Sequence, residues 1–492
     1  GKKMPSMSKL NVLFVASEAD PLVKVGGLGD VAGSLPAFLR QIPPGTDQPE
    51  LDVRLVIPYH PSVRQKLNDA SFLTEFMVPH PNGPLPAQVF QTEVNGVPIF
   101  LVSGAFIPEE GPVYSPDHRV DALKYIFFSL AVLELPKALN WPIDILHAND
   151  WHTAISPYVL SIYKKEDPFF QNTGSLLSVH NLPFMGAGAE KVVSEFGIPP
   201  VRDPRMPVWS WQIPLPMGLQ AADKIVAVSP TYAQEILTPE FGCDLQEFLK
   251  TRHQALTGIL NGLDTSNWDP RTDLDISARF SPDNLGSRVA NKQALLTEFK
   301  LEYNPETPLL ILIGRFDRQK GVDIALAGLQ TLKDLPWQII MLGTGDPLLE
   351  EAAHRMEAEL PGKVRAALRF DARLARGMYA GGDILLMPSR YEPCGLAQMI
   401  AMRYGCLPLA RATGGLRDTI IDDPSGNLGT GFLFAAASPE AFANRLSKAL
   451  DQYHNQLVWQ TMQQNAMSQD FSWKKSALDY AKIYLQIKEG TR

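Results

Sequence analysis

The chain is poor in cysteine, in positive charge and in long apolar runs. Its 492 residues include only three cysteines, Cys243, Cys394 and Cys406. Their number and spacing fit neither a disulfide framework nor a zinc motif, and such usage is typical of a reducing compartment. The net charge is −8, and no basic stripe compensates it. We therefore predict no nucleic-acid partner.

Two further absences narrow the class of protein. The apolar run 126–133 ends at Glu134 and is too short to span a bilayer, so no membrane partner is predicted. Residues 1–9 have no apolar core of a secretion signal. A bacterial cytoplasmic protein and a plastid protein with a trimmed N-terminus both stay open. No metal-ligand spacing and no Gly-x-Ser-x-Gly motif occurs, so neither a metal cofactor nor a serine hydrolase is predicted.

What the chain does contain is a repeated alternation of apolar strands and helical patterns. Polar clusters follow the strands, which predicts two doubly wound parallel α/β sheets whose ligands bind at the carboxyl ends of the strands. The segment 263–282 has no clear period and reads as a linker. We predict an N-terminal Rossmann-like domain at 10–262 and a C-terminal one at 263–471. A helix is expected from residue 472.

The strand predictions follow the apolar runs. The range 70–102 alternates short runs with Pro and Gly, which predicts antiparallel strands on a sheet edge. Trp473, Ala477, Tyr480, Ala481 and Tyr484 form one apolar stripe of the last helix. The remaining strands are expected at 12–17, 53–57, 143–148, 175–179, 224–228, 258–262, 309–313, 338–342, 384–387 and 407–410.

A glycine turn after the first strand is the first candidate site. It reads Lys24-Val25-Gly26-Gly27-Leu28-Gly29-Asp30 and opens a helical pattern. Backbone N–H groups at a helix start attract anions, and glycines let a bulky ligand approach the backbone. A tight turn with a solvated lysine explains the motif equally well.

A second set of candidates lies downstream. Arg315 and Lys320 flank a strand-to-helix turn, where their charges suit a diphosphate, although a solvated basic turn is the simpler alternative. Glu392 precedes another helix start. It is either a plain helix cap or a carboxylate that orients a sugar hydroxyl. Thr413 opens a further cluster of N–H groups at a helix start.

The first half adds a carboxylate and an imidazole at strand ends. Asp150 and His180 could stabilise developing positive charge or hold hydroxyl groups, although a strand-end histidine is often structural. Aromatic faces suit the stacking of sugar rings, with core packing as the default alternative. These aromatic side chains are Trp151, Phe184, Trp209 and Trp211.

Taken together, the motifs resemble glycosyltransferase family 5, the bacterial glycogen synthases and plant starch synthases. They follow the family's order over most of the chain. The carriers are residues 24–28, 147–153, 179–182, 260–262, 314–315, 319–321, 389–396 and 413–416.

The resemblance implies a GT-B fold, in which two Rossmann-like domains face each other across a cleft and the C-terminal helix 472–492 crosses back to the first domain. It also implies transfer of glucose from ADP-glucose to the non-reducing 4-OH of an α-1,4-glucan such as glycogen, amylose or amylopectin. Configuration would be retained without a metal. Because phosphate and sugar groups would lie on separate domains, we expect closure of the cleft during turnover.

Site residues follow from the same resemblance. Arg315 and Lys320 would bind the diphosphate, and Glu392 would hold the glucosyl ring. His180 would lie near the reacting centre. The implied catalytic residues are Glu392, Arg315, Lys320, Asp150 and His180. The implied ADP-glucose-binding residues are Lys24, Gly26, Gly27, Asp30, Asn261, Phe370, Cys394, Gly395, Leu396, Thr413 and Gly414.

Two departures from the family pattern concern individual contacts. Phe370 stands where the family often has a tyrosine against adenine, so stacking is kept and a hydroxyl is lost. Phe184-Met185-Gly186 replaces the usual Tyr-Gln-Gly, which bears on acceptor contacts.

Alternatives within the fold stay open. They are a transferase that uses UDP-glucose, sucrose or a sugar phosphate, a nucleotide-sugar epimerase, and a non-catalytic glucan-binding scaffold. Few basic residues near Asp150 and His180 disfavour a sugar phosphate. The joint presence of Lys24, Arg315, Lys320 and Glu392 disfavours the scaffold.

Overall fold

The computed structural model describes residues 8–491, which divide into two compact units. One unit extends to Gly262 and includes the segment from Trp473 onwards, and the other is Leu263–Ser472. Most of the N-terminal segment considered as a possible signal lies outside the described residues. None of the helices within 8–491 combines the length and apolar character that crossing a membrane requires.

The first unit is built on a nine-stranded sheet in the order β3-β4-β5-β2-β1-β6-β7-β8-β9. Its pairs are parallel except for β3–β4 and β4–β5. The strands are β1 (Leu10–Val15), β2 (Leu51–Pro58), β3 (Ser71–Val78), β4 (Leu85–Val94), β5 (Val97–Gly104), β6 (Ile145–Asn149), β7 (Gly174–Val179), β8 (Lys224–Ala227) and β9 (Leu256–Gly258).

The antiparallel edge predicted for 70–102 is confirmed. Asn95 and Gly96 join β4 to β5, and both have positive φ, at 51° and 77°. Two such residues form the turn whose twist matches paired antiparallel strands, and Asn and Gly tolerate it best. This hairpin places β3 and β4 outside the parallel part of the sheet.

The last strand of this sheet differs from the prediction, because β9 ends at Gly258. The Ile259 amide still donates to the Ala227 carbonyl at 2.9 Å. Beyond it the chain turns toward the C-terminal helix: Ser476 donates to the Leu260 carbonyl at 2.7 Å. A Cβ on Gly262 would lie 2.7 Å from Trp473. The strand predicted at 258–262 therefore does not form beyond Gly258, because the chain there packs against the C-terminal helix.

Helices alternate with the parallel strands of the first sheet along the chain. The glycine turn itself supplies the start of α1, which begins at Gly27 rather than at Val31, because Gly26 is extended and serves as N-cap. The helices are α1 (Gly27–Arg40), α2 (Pro61–Lys66), α3 (His118–Ala138), α4 (Ile155–Tyr163), α5 (Glu190–Glu195), α6 (Pro214–Ala221), α7 (Pro230–Glu235) and α8 (Gln246–Thr251).

The second unit has a wholly parallel six-stranded sheet in the order β12-β11-β10-β13-β14-β15. Its strands are β10 (Leu309–Ile313), β11 (Gln338–Leu342), β12 (Val364–Ala367), β13 (Ile384–Met387), β14 (Leu407–Arg411) and β15 (Phe432–Phe434). Its helices are α9 (Val289–Glu298), α10 (Val322–Thr331), α11 (Pro347–Glu359), α12 (Ala372–Gly381), α13 (Ala397–Arg403), α14 (Gly414–Thr419), α15 (Pro439–Tyr453) and α16 (Gln456–Met467).

The segment 263–282 has no helix or strand of its own and is tied to the second unit by arginine. Arg376 forms a 2.9 Å ion pair with Asp273 and donates to Asn267. The Tyr404 hydroxyl donates to the same Asp273 carboxylate at 2.6 Å. The backbone of this segment lacks the regular hydrogen bonds of a helix or a sheet, and these side-chain bonds hold it in place instead.

The final helix, α17 (Trp473–Gly490), packs against the first unit. All five residues of its predicted apolar stripe are 1% exposed or less. The Tyr484 hydroxyl lies 2.6 Å from Nδ1 of His147 on β6, and Lys488 pairs with Asp144 at 2.6 Å. Apolar burial and buried polar bonds together fix this helix to the N-terminal unit.

Candidate functional site

Both sheets have a topological switch point, and the candidate residues cluster beside it. In the first sheet the chain order reverses between β1 and β6, and in the second between β10 and β13. A switch point opens a crevice at the carboxyl ends of the strands, where ligands of doubly wound proteins bind. The turn after β1 and Asp150 after β6 flank the first crevice. Lys320 after β10 and Glu392 after β13 flank the second.

The glycine turn after β1 presents an exposed backbone. A Cβ on Gly27 would meet no atom within 4 Å, and one on Gly26 would meet only Glu18, at 3.7 Å. Lys24 forms a 2.8 Å ion pair with Asp30, and both side chains are partly exposed. The turn therefore combines an accessible helix start with a cation that a nearby carboxylate holds.

Sequence reasoning missed Glu18, the residue that holds this turn in place. Glu18 is 2% exposed, and its carboxylate accepts hydrogen bonds from the backbone amides of Val25 and Gly26. Burial raises the pKa of Glu18, while those two amides and the Tyr114 hydroxyl oppose the rise. The Gly26 amide, expected to face a ligand, is thus occupied by an internal carboxylate. The only sequence signal was an acidic residue at the carboxyl end of β1.

Asp150 and His180 lie on adjacent strands, but the carboxylate contacts the backbone of the histidine rather than its ring. Asp150 has a φ of 58°, and its Oδ1 accepts from the His180 amide at 2.7 Å. Burial raises the pKa of Asp150, against the opposing effect of His180. Burial lowers the pKa of His180. The imidazole is therefore neutral at physiological pH, beside a carboxylate that shapes the strand end.

Two asparagine side chains at this end of the sheet have unused acceptors. Asn181 follows β7 and Asn261 follows β9. The Oδ1 atom of each is buried and has no hydrogen-bond partner among residues 8–491. Buried polar atoms are nearly always paired, so a ligand hydroxyl is a reasonable partner for each.

The aromatic candidates divide into packed and exposed side chains. Trp151 lies against His152 with ring centroids 4.3 Å apart, and Trp211 donates to the Met206 carbonyl at 3.2 Å. Phe184 and Trp209 are 56% and 47% exposed. This second pair therefore offers the more exposed faces to a sugar ring.

In the second unit the cation and the carboxylate bind each other. The Lys320 Nζ atom lies 2.9 Å from both carboxylate oxygens of Glu392, and Ser389 donates to Oε2 at 3.0 Å. Arg315 is largely exposed, and its contact with Asp317 is long, at 3.4 Å. Arg315 is therefore the cation freer to reorient toward a phosphate.

Two glycines make this arrangement possible. Gly321 has a φ of 71°, and a Cβ there would lie 1.9 Å from the Pro388 carbonyl oxygen. Gly414 has a φ of 47°, and its Cβ would lie 1.8 Å from the carbonyl oxygen of Glu392. Only glycine fits such close backbone approaches. They bring the starts of α10 and α14 against the segment that carries Glu392.

The remaining predicted residues of this unit lie around that segment. Cys394 is buried and its carbonyl accepts from Gln398 at 3.0 Å. Gly395 has a φ of 80°, and Leu396 is the N-cap of α13. Thr413 is the N-cap of α14, which continues from Gly414. Backbone N–H groups of two helix starts thus flank Glu392.

Phe370 lies apart from this cluster, near the opposite edge of the sheet. It follows β12, which β11 separates from β10, and it is 92% exposed. A phenyl ring exposed to this degree is available to stack on a planar ligand group.

No group of three or more His, Cys, Asp or Glu side chains within residues 8–491 is arranged to hold a metal ion. Within residues 8–491 none of the three cysteines forms a disulfide.

Solved structures with this architecture are glycosyltransferases. The chain is 28% identical, with a TM-score of 0.85, to the catalytic domain of starch synthase IV from Arabidopsis thaliana bound to ADP and acarbose, covering 98% of this chain and 99% of that one. Sucrose-phosphate synthase from Thermosynechococcus elongatus shares the fold, with a TM-score of 0.59 at 18% identity over 98% of this chain and 100% of the other. The protein is a glycosyltransferase of the GT-B fold class.

Sequence comparison then identifies the family. The starch synthase catalytic domain model matches residues 11–251, and the glycosyl transferases group 1 model matches 296–466. Glycogen synthase from Aromatoleum aromaticum is 38% identical, and that from Clostridium perfringens is 36% identical. Each match covers 98% of this chain, with 98% of the first relative and 100% of the second. The chain belongs to the glycogen and starch synthase family, as the motifs predicted.

Proposed function

We propose that the chain transfers glucose from ADP-glucose to the non-reducing 4-OH of an α-1,4-glucan, with retention of configuration. The observation that carries the proposal is full-length similarity to glycogen synthases, joined to a starch synthase neighbour whose structure contains ADP and acarbose. ADP supports an adenine nucleotide donor. Acarbose, an oligosaccharide analogue, supports a glucan acceptor.

In this proposal the second unit binds the donor. Arg315 and Lys320 take the diphosphate, and the N–H groups near Thr413 and Gly414 add donors to the same phosphates. Glu392, with the backbone of residues 394–396, orients the glucosyl hydroxyls, and Phe370 stacks on adenine. Negative charge develops on the departing diphosphate. Preorganised donors of this kind contribute on the order of 3 kcal/mol each to the transition state.

The first unit contributes polar groups toward the sugar. Lys24 and the Gly27 amide are available to an anion, because neither lies under packed side chains. Asp30 holds Lys24 at 2.8 Å. Because Glu18 occupies the Gly26 amide, Gly27 is the stronger of the two glycine candidates. Asn261 offers an unpaired acceptor to a hydroxyl.

Retention does not require Glu392 to be a nucleophile. Both of its oxygens already bind Lys320, and Ser389 binds one of them. A carboxylate held in this way is suited to accept hydrogen bonds from sugar hydroxyls. We therefore favour attack on the same face as the leaving group, with the departing phosphate accepting the proton of the 4-OH. Neither step assigns a role to a metal ion.

The test is incorporation of radiolabelled glucose from ADP-glucose or UDP-glucose into glycogen and amylopectin. The proposal expects label in glucan with ADP-glucose and much less with UDP-glucose. Preference for UDP-glucose would overturn the donor. Binding of glucan without incorporation from either donor would support the scaffold alternative instead. Digestion of the labelled product by an enzyme specific for α-1,4 linkages checks the bond formed.

A further inference from the structure

Asn149, the last residue of β6, is completely buried beside the imidazole of His180. Its Nδ2 donates to the Val15 carbonyl at 3.0 Å, and its Oδ1 lies 2.9 Å from Nε2 of His180. Its backbone N–H and C=O both bond the Thr153 hydroxyl at 2.7 Å. The side chain is thus held at both of its polar atoms, and Thr153 holds the backbone.

These contacts determine which way the amide group of Asn149 faces. A backbone carbonyl such as that of Val15 only accepts hydrogen bonds, so the NH₂ group must point toward it. The amide oxygen then faces His180. Because that oxygen also only accepts, Nε2 of His180 must be the donor.

We infer that Asn149 fixes the tautomer of His180, so that Nε2 carries the proton and Nδ1 is presented as an acceptor to a hydroxyl group of the substrate. Among residues 8–491, the one hydrogen bond of the His180 side chain is that between Nε2 and Asn149. The part of the inference that concerns substrate rests on the proposed function. Asn149 is a positioning residue in this scheme, since it acts through His180.

The surrounding charges agree with a neutral ring. Burial lowers the pKa of His180, and the nearby Asp150 carboxylate opposes that effect. The other ionisable group close to it is His147 on β6, whose own pKa burial lowers to about 3. A neutral His147 neither repels nor attracts a proton on His180. The ring therefore offers one donor and one acceptor rather than two donors.

The first experiment measures the tautomer directly in the full chain. The protein is labelled with ¹⁵N-histidine, and the His180 ring signals are assigned by their loss in His180→Gln. At pH 7 we expect a neutral ring protonated on Nε2. A ring protonated on Nδ1, or an imidazolium, overturns the inference. Because this readout needs neither substrate nor a variant of Asn149, it stands even if the chain transfers no glucose.

The second experiment separates tautomer control from a merely structural role. In Asn149→Asp a carboxylate faces Nε2, which favours the imidazolium and raises its pKa by about 1–3 units. The neutral acceptor form then returns only at alkaline pH. We expect kcat/KM to fall about tenfold or more at pH 7 and to recover in part near pH 9, because the carboxylate does not replace the NH₂ donor to the Val15 carbonyl. Asn149→Ala, which offers no acceptor to Nε2, should stay impaired at both pH values. Equal losses in the two variants at pH 7 and pH 9 would contradict the inference.

Discussion

The Nζ atom of Lys320 is 2.9 Å from each carboxylate oxygen of Glu392, and the glutamate side chain is 8% exposed. The pair joins the turn after β10 to the segment after β13, across the switch point of the second sheet. A partly buried ion pair of this kind is costly to break, because the buried Glu392 charge loses its partner. If the proposed function holds, activity and stability are therefore coupled at this pair.

Lys320→Ala is expected to reduce both activity and stability. Loss of a preorganised cation should lower kcat by about 10²–10³. Leaving the Glu392 carboxylate unpaired should lower the free energy of unfolding by up to about 3 kcal/mol. This is toward the lower end of the range for buried pairs, because Lys320 is partly exposed. Thermal denaturation and the transfer assay measure the two effects. The control is Lys320→Ala combined with Glu392→Gln, which should regain stability but no activity. Full activity in Lys320→Ala would defeat the donor-site assignment.

Glu18→Gln should loosen the glycine turn without unfolding the unit. The amide side chain keeps one acceptor for Val25 or Gly26 but loses the charge-assisted bonds, each worth about 1.5–3 kcal/mol. We expect KM for the donor to rise several-fold, with kcat less affected. An unchanged KM would show that the turn does not contact the donor.

The raised pKa of Glu18 also predicts the direction in which the stability of the protein changes with pH. Its pKa is raised above the ordinary value of 4.5 in the folded state. The folded protein therefore binds this proton more tightly than the unfolded chain does, and the stability from it is lost as pH rises above 4.5. Urea titrations should show that wild type loses stability relative to Glu18→Gln as pH rises from 4.5 toward 7. A constant difference across that window would contradict the raised pKa.

Gly27→Ala and Gly33→Ala should separate a ligand-facing glycine from a structural one. A Cβ on Gly27 meets nothing within 4 Å, whereas one on Gly33 would lie 2.4 Å from the Asp20 carbonyl oxygen. Gly27→Ala should leave the melting temperature nearly unchanged and raise KM for ADP-glucose. Gly33→Ala should lower the melting temperature, because the clash involves backbone. If Gly27→Ala binds donor as wild type does, the N–H edge of this turn is not a phosphate site.

Two histidines of the first unit should make it sensitive to acid. His60 and His147 are fully buried, and burial lowers the pKa of each to about 3. The unfolded chain takes up these protons near pH 6.5, so stability is lost as pH falls from 6.5 toward 3. At pH 5 each of these histidines should lower the free energy of unfolding by about 2 kcal/mol.

Denaturant midpoints measured between pH 7 and 5 in His60→Gln and in the exposed control His253→Gln test this expectation. The first substitution should flatten the pH dependence relative to the second, which makes the same chemical change at an exposed position. Parallel pH dependences in both variants would show that His60 titrates normally.

Much of the fold was accessible from sequence because parallel strands are nearly continuous apolar runs. The interior strands β1, β6, β10 and β13 were predicted close to their bounds. The outer strands β12 and β15, of four and three residues, were not predicted. Runs that short carry little periodic signal, and partial exposure at an edge weakens it further.

The candidate site residues follow a similar division. Lys24, Arg315, Lys320 and Glu392 stand out because charged residues and glycines after apolar runs are conspicuous. Glu18 does not, since a single acidic residue after a strand has no distinctive pattern. Its importance comes from two backbone amides that fold back onto it.

The amino-acid sequence by itself determined the class of fold, the approximate places of the interior strands β1, β6, β10 and β13, and the family, because apolar periodicity and glycine-rich turns are local features. Only the tertiary structure decided which partners the polar groups have. In the folded protein Lys320 forms an ion pair with Glu392, and Asn149 is hydrogen-bonded to the ring of His180. The Gly26 amide donates to Glu18. Hydrogen bonds are directional and short, so the chemistry of these groups depends on neighbours up to 134 residues away along the chain.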